Sequence, residues 1–205
     1  KPQRRLDSAA KTNGTAEYGI DVRRPGQVYG AIVMCPVLGG RVVAVDVEAA
    51  RLKFGVIDVV QLDTAVVVVG KTWWAASQAR DLLEITWDTF GHDELDNEQI
   101  YAGLKKAGET SMESAQVARV EGDVDAALVA ADQSMYAVYE LPMLAHATLE
   151  PMNCTAEFKA DELHIYVPTQ VQLFAQGVAA SAAGIEVDKV HVHTTLLGGG
   201  FGRRL

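Results

Sequence analysis

Cysteine is scarce in this chain: Cys35 and Cys154 are the two among 205 residues, far apart and outside any CxxC. That spacing cannot cage an iron–sulfur cluster, and the two thiols offer no zinc ligand set. A disulfide between them gains no support from the pattern. Positive charge is in deficit as well. Eighteen Lys and Arg stand against 27 Asp and Glu, a net charge of −9. This excludes a general nucleic-acid binder, whose phosphate contacts need a basic face. Long apolar runs are missing: none approaches the ~20 residues of a membrane-spanning helix. The first residues carry no signal-peptide core. No internal repeat or low-complexity tract is present. Because the chain starts on Lys1 and stops on a glycine loop, we expect it to be a piece of a longer polypeptide.

What is present is ordinary globular composition, 49% hydrophobic and 22% charged, enough for one large or two small domains. Residues 1–30 are polar, with turn dipeptides at Asn13-Gly14 and Pro25-Gly26. Strands are expected over 28–34, 41–47, 56–60 and 64–69, the last carrying four consecutive valines and so buried on both faces. A short helix over 47–52, a helix capped by Thr72 that runs through Leu83, and a strand at 85–87 complete a β-β-α-β-β-α-β unit ending near residue 90. From 91 to about 116 small and charged residues mark a connector with one helix over 97–107. Beyond it we expect a strand at 117–120, a helix at 123–131 with an acidic first turn, an alternating strand at 134–141 and a hairpin around Asp161-Glu162. A helix over 170–183 follows, its apolar stripe formed by Val171, Phe174, Ala175, Val178, Ala179 and Ala182. Asp188 opens the last strand.

Three stretches concentrate the chemistry. After the alternating run Val190-His191-Val192-His193-Thr194 comes Leu196-Leu197-Gly198-Gly199-Gly200-Phe201-Gly202-Arg203-Arg204. Three glycines in a row let backbone approach something closely, and bare amides followed by two arginines suit an anion. The pattern matches neither GxGxxG nor the P-loop, and a plain strand-to-helix turn fits the same spacing. The second stretch, residues 141–156, packs His146, Glu150, Asn153 and Cys154 into nine residues of apolar chain. Metal ligation by His146 and Glu150 needs a helix; a buried His and Glu satisfied by backbone donors is the favoured reading, with Cys154 a small core residue. The third is Val167-Pro168-Thr169-Gln170, a helix start from whose first turn Gln170 would reach a ligand oxygen. His191 and His193 share a strand face; two histidines at i, i+2 can bind metal, but with no third ligand in view sheet packing is favoured.

Taken together, the HATLEPMNCTA stretch, the PTQ corner about twenty residues on and the LLGGGFGRR loop resemble the molybdenum-binding subunit of the xanthine dehydrogenase and aldehyde oxidase family. The likeness is to the isoquinoline 1-oxidoreductase beta-subunit branch. Lys11 to Asp21 followed by Pro25-Gly26, then Val45-Asp46 with Ala49-Ala50 and Gly55-Val56, resemble that family's α/β hammerhead domain. Many relatives carry Gly-Lys where this chain has Arg203-Arg204, which we take as a branch marker.

The resemblance implies an α+β fold: a hammerhead-like domain over 1–90, a connector over 91–115, and over 116–205 the first part of a molybdopterin-binding domain. It implies that Gly199, Gly200, Phe201, Gly202 and Arg203 lie against molybdopterin, in its cytosine dinucleotide form, and that Gln170 donates a hydrogen bond at the molybdenum centre. It further implies hydroxylation of an aldehyde or N-heteroaromatic carbon with oxygen from water. The catalytic glutamate would lie beyond Leu205, and a separate [2Fe-2S] subunit would take the electrons. On this reading the 205 residues alone are inactive and hold no cofactor. The competing expectation is a cofactor-free module that grips phosphate or nucleotide, or makes subunit contacts.

Overall fold

The computed structural model describes Gln3 and residues 5–110 and 116–205. The chain divides into two units: Lys1–Gly26 with Val138–Leu205 is one, and Gln27–Ala137 is the other. The chain opens with α1 (Ser8–Asn13), closed by Gly14 at φ 79°, and a 3-10 turn at Gly19–Asp21, both in the first unit.

The second unit holds β1 (Tyr29–Met34), β2 (Arg41–Asp46), α2 (Glu48–Arg51), β3 (Val56–Gln61), β4 (Ala65–Gly70), α3 (Trp73–Arg80) and β5 (Glu84–Asp88), then α4 (Asn97–Thr110) and α5 (Val124–Ala130). The valine-rich β4 is the middle of a three-stranded antiparallel sheet, β1-β4-β3, while β2 and β5 pair separately. Val66 and Val68 are fully buried, as a strand flanked on both sides requires. With Val42, Ala50, Val59 and Ala79 they form the unit's core. The Thr72 hydroxyl accepts from the Ala75 N–H at 3.1 Å and starts α3, whose Ala76 and Ala79 seat without exposure.

The expected strands at 117–120 and 134–141 do not form. Residues 131–154 contain neither helix nor strand, and Met135, Tyr136, Val138 and Tyr139 are largely exposed. Alternation alone does not make a strand; its N–H and C=O groups need a neighbouring ladder, and among the described residues none is alongside.

In the first unit β6 (Thr155–Lys159) and β7 (Glu162–Val167) make the expected hairpin, and α6 (Gln172–Ala183) crosses over to β8 (Val190–Thr194), which pairs parallel to β7. Leu163, Ile165 and Val190 point at α6 and bury against Ala180. Ala175 and Ala179 of the expected stripe face inward but Phe174 and Val178 do not, so the helix is rotated about its axis from the expected orientation. Ala175, Ala179, Ala180 and Ala183 meet the sheet, whereas Leu173, Phe174 and Val178 are exposed. Small side chains let the helix backbone sit close, and that outweighs the larger apolar residues. The helix also begins two residues later than expected, with Val171 as N-cap, so Gln170 lies in the corner before it.

Candidate functional site

The glycine loop leaves β8 through Leu196, whose N–H donates to the Glu17 carbonyl beside a bridge to Tyr18. It then folds onto residues 148–153. Glu150, 7% exposed, is the anchor. One carboxylate oxygen accepts from the Gly198 N–H at 2.9 Å, and the other from the Ile20 N–H at 3.1 Å and the Asn153 amide at 2.9 Å. The Glu150 N–H donates in turn to the Gly198 carbonyl at 3.0 Å. A Cβ on Gly198 would stand 2.2 Å from the Glu150 Cβ, so only glycine allows this contact.

Arg204, 3% exposed, closes the other end. Its guanidinium donates to the Gly199 carbonyl at 2.8 Å and the Glu150 carbonyl at 2.7 Å, and lies 3.0 Å from the Glu150 carboxylate. Burial works to raise the Glu150 pKa. The Gly198, Asn153 and Ile20 donors and the Arg204 charge outweigh it, and the carboxyl is held below its ordinary value. Two buried atoms here, Asn153 Oδ1 and Arg204 Nη1, have no hydrogen-bond partner.

Gln170 packs against the loop. Its N–H donates to the Arg204 carbonyl at 2.9 Å, and its side-chain oxygen accepts from the N–H groups of Gly202, at 3.0 Å, and Arg204, at 3.4 Å. A Cβ on Gly200 would meet that oxygen at 2.7 Å. With the carboxamide oxygen engaged, its NH2 is left as a donor without a partner among the described residues. Thr169, buried beneath, donates to the Arg204 carbonyl at 3.2 Å and accepts from Val171. The loop crest carries Gly199 at φ 103°, Phe201 at φ 56° and Gly202 at φ 92°. Phe201 holds this left-handed conformation while 74% exposed. A bulky residue in that region costs about 1–3 kcal/mol and marks functional turns.

Of the residues singled out in the sequence, Gln170, Gly199, Gly200, Phe201 and Gly202 come together, and Arg203 is exposed beside them. Arg204 does not join Arg203 as an anion ligand, because its guanidinium is spent on Glu150 and Gly199. Glu150 is buried and met by backbone donors as expected. His146 is exposed, since its stretch is not helical and gives it no pocket. Cys154 is exposed rather than a core residue. His191 and His193 lie on the sheet face away from α6. The Glu150–Arg204 pair went unread because nothing local links positions 54 residues apart; a lone acid in apolar chain and an arginine closing a glycine loop were the available signals.

Residues 107–205 match the molybdopterin cofactor-binding domain family. Over nearly its whole length the chain is similar to molybdenum-binding subunits of the xanthine dehydrogenase family. It is 34% identical to the isoquinoline 1-oxidoreductase subunit beta of Brevundimonas diminuta, over 98% of this chain and 27% of that protein. It is also 34% identical to a membrane-bound aldehyde dehydrogenase (pyrroloquinoline-quinone) of Gluconacetobacter polyoxogenes, with the same coverage. Its fold matches the crystal structure of the aldehyde oxidoreductase of Desulfovibrio gigas with a TM-score of 0.70 at 16% identity, over 98% of this chain and 27% of that one. The chain therefore spans about a quarter of the length of these relatives.

The residues present fit such a cofactor. The loop offers bare backbone where a Cβ would intrude, beside the exposed Gln170 carboxamide and the exposed Arg203, a donor set suited to an anionic pterin and its phosphates.

Proposed function

We propose that this chain is the part of a molybdenum hydroxylase large subunit that presents Gln170 and the Gly199–Gly202 loop to the molybdenum centre and its pterin. When bound, that cofactor supplies hydroxylation of an aldehyde or N-heteroaromatic carbon with oxygen drawn from water. Gln170 donates its NH2 toward an oxygen of the cofactor, held in aim by the two loop amides that fix its carbonyl end. Gly200 and Gly202 keep the backbone low enough for close approach, and Phe201 sets an exposed ring over it. Arg203 meets phosphate of the cytosine dinucleotide form. A glutamate from residues after Leu205 serves as base, and a separate [2Fe-2S] subunit takes the electrons, since this chain has no cysteine set for a cluster. As a division of the sequence, 1–90 is hammerhead-like, 91–115 the connector and 116–205 the opening of the cofactor domain. The 205 residues alone neither hold the cofactor nor turn over.

The observation that carries this reading is the exposed Gln170, whose carboxamide oxygen is pinned by the Gly202 and Arg204 N–H groups of the glycine loop. The test is turnover of the full-length enzyme in oxygen-18 water with an artificial electron acceptor. Product should carry the label, and Gln170→Ala should lower kcat by roughly a hundredfold, the usual loss for one well-placed donor, while molybdenum content is retained. Unlabelled product, or a kcat unchanged in Gln170→Ala, would refute it.

A further inference from the structure

The face of the β6-β7-β8 sheet turned away from α6 collects histidine. Parallel pairing sets His164 beside His191 and Tyr166 beside His193, and Glu162 stands two residues before His164 on the same side. His164 stacks on both His191 and His193, with ring centroids 4.8 and 5.2 Å apart. Three ligand atoms, one each from Glu162, His164 and His191, lie within 4.8 Å of one another.

The second observation is a nitrogen without a bond. His191 Nε2 is buried and has no hydrogen-bond partner, although Glu162 Oε2 is only 3.2 Å away. On side chains that are about half exposed, this nitrogen and the carboxylate oxygen face each other at a separation that a shared cation can occupy. A tetrahedral zinc ion with bonds near 2.0–2.1 Å holds its ligands about 3.3 Å apart, close to the Glu162–His191 separation. His164 Nε2, 3.9 Å from the same carboxylate oxygen, reaches this spacing by a shift of well under 1 Å. The outer arrangement fits too. His164 Nδ1 lies 2.9 Å from His193 Nε2, a contact in which His193 can accept from Nδ1 and leave His164 Nε2 free for a metal, the arrangement of outer partners of metal-bound histidines. The cations nearby are already matched: Arg24 and Lys159 both pair with Glu157.

We propose that Glu162, His164 and His191 form a site for a divalent transition-metal ion of the zinc type, completed by water and oriented by His193, which ties β7 to β8 on the face opposite α6. Nitrogen and carboxylate ligands in a three-residue open set suit zinc rather than calcium or magnesium. None of the three ligands belongs to the glycine loop.

The test uses the full-length enzyme, stripped with EDTA and titrated with zinc against a chromophoric chelator, with cobalt as a spectroscopic substitute. One zinc per chain should bind, and cobalt should give the visible bands of a tetrahedral centre. His191→Ala, His164→Ala and Glu162→Gln should each weaken zinc by at least roughly tenfold, and His193→Ala by roughly tenfold to a hundredfold. Glu157→Gln, on the same face, should leave it unchanged. Molybdenum content serves as the measure of folding; Glu162→Gln, an exposed change of charge alone, remains decisive where a histidine variant misfolds. Equal zinc affinity in wild type and Glu162→Gln, or no stoichiometric zinc in the stripped and titrated wild type, would overturn the proposal.

Discussion

Glu150 and Arg204 hold the loop by the same logic that makes buried ion pairs hazardous to break. Both side chains are nearly inaccessible, so removing one leaves the other charged and unmatched, which costs about 3–5 kcal/mol. We expect Arg204→Ala to destabilise the protein by about that amount in denaturant unfolding. The sign of the pH dependence follows from Glu150. Its folded pKa lies below its ordinary 4.5, so its contribution is fully present above that pH and is lost as pH falls through the folded value. Glu150→Gln should flatten the acid limb of the stability curve below about pH 4.5 relative to wild type. An unchanged acid limb would mean the carboxylate is not engaged as described. Residue types pointed to Glu150 as buried and satisfied, but its partners came from Gly198 and Ile20, 48 and 130 positions away, distances no local pattern spans.

Among the elements, those with strong local signals formed where the sequence placed them. The valine run of β4, the Thr72 cap of α3 and the β6–β7 hairpin each depend on residues within a few positions. What was illegible depended on neighbours: the strands at 117–120 and 134–141 lack a ladder, and α6 chose its alanine face because the sheet rewards close approach over apolar bulk. The helices α4 and α5 bury little. In α4 only Ile100 and Tyr101 among its described side chains are partly covered, and no residue of α5 is buried. Tryptic digestion of the 205-residue chain should therefore cut first at Lys105, Lys106 or Arg119. Arg51, Lys71 and Arg80, beside the β-rich core, should resist. Early cleavage at Arg80 would contradict this ordering of local stability.

At the scale of the whole molecule, the three motifs that carried the resemblance converge although each lies in a different part of the sequence. Residues 1–26 also return to the same unit, bringing Gly19 against Asn153 and Pro168, where a Cβ would approach within 2.4 Å. The motifs were readable as separate strings; their meeting place depended on the β7-α6-β8 crossover that sets Gln170 under the loop. If this place faces the pterin, a side chain at Gly200 must disturb both Gln170 and the cofactor. The most direct measurement is molybdenum per chain, by elemental analysis, in full-length Gly200→Val beside wild type, with circular dichroism to show the variant folded. The account predicts a folded variant that retains almost no molybdenum. Wild-type molybdenum in folded Gly200→Val would contradict it and reduce the loop to a turn.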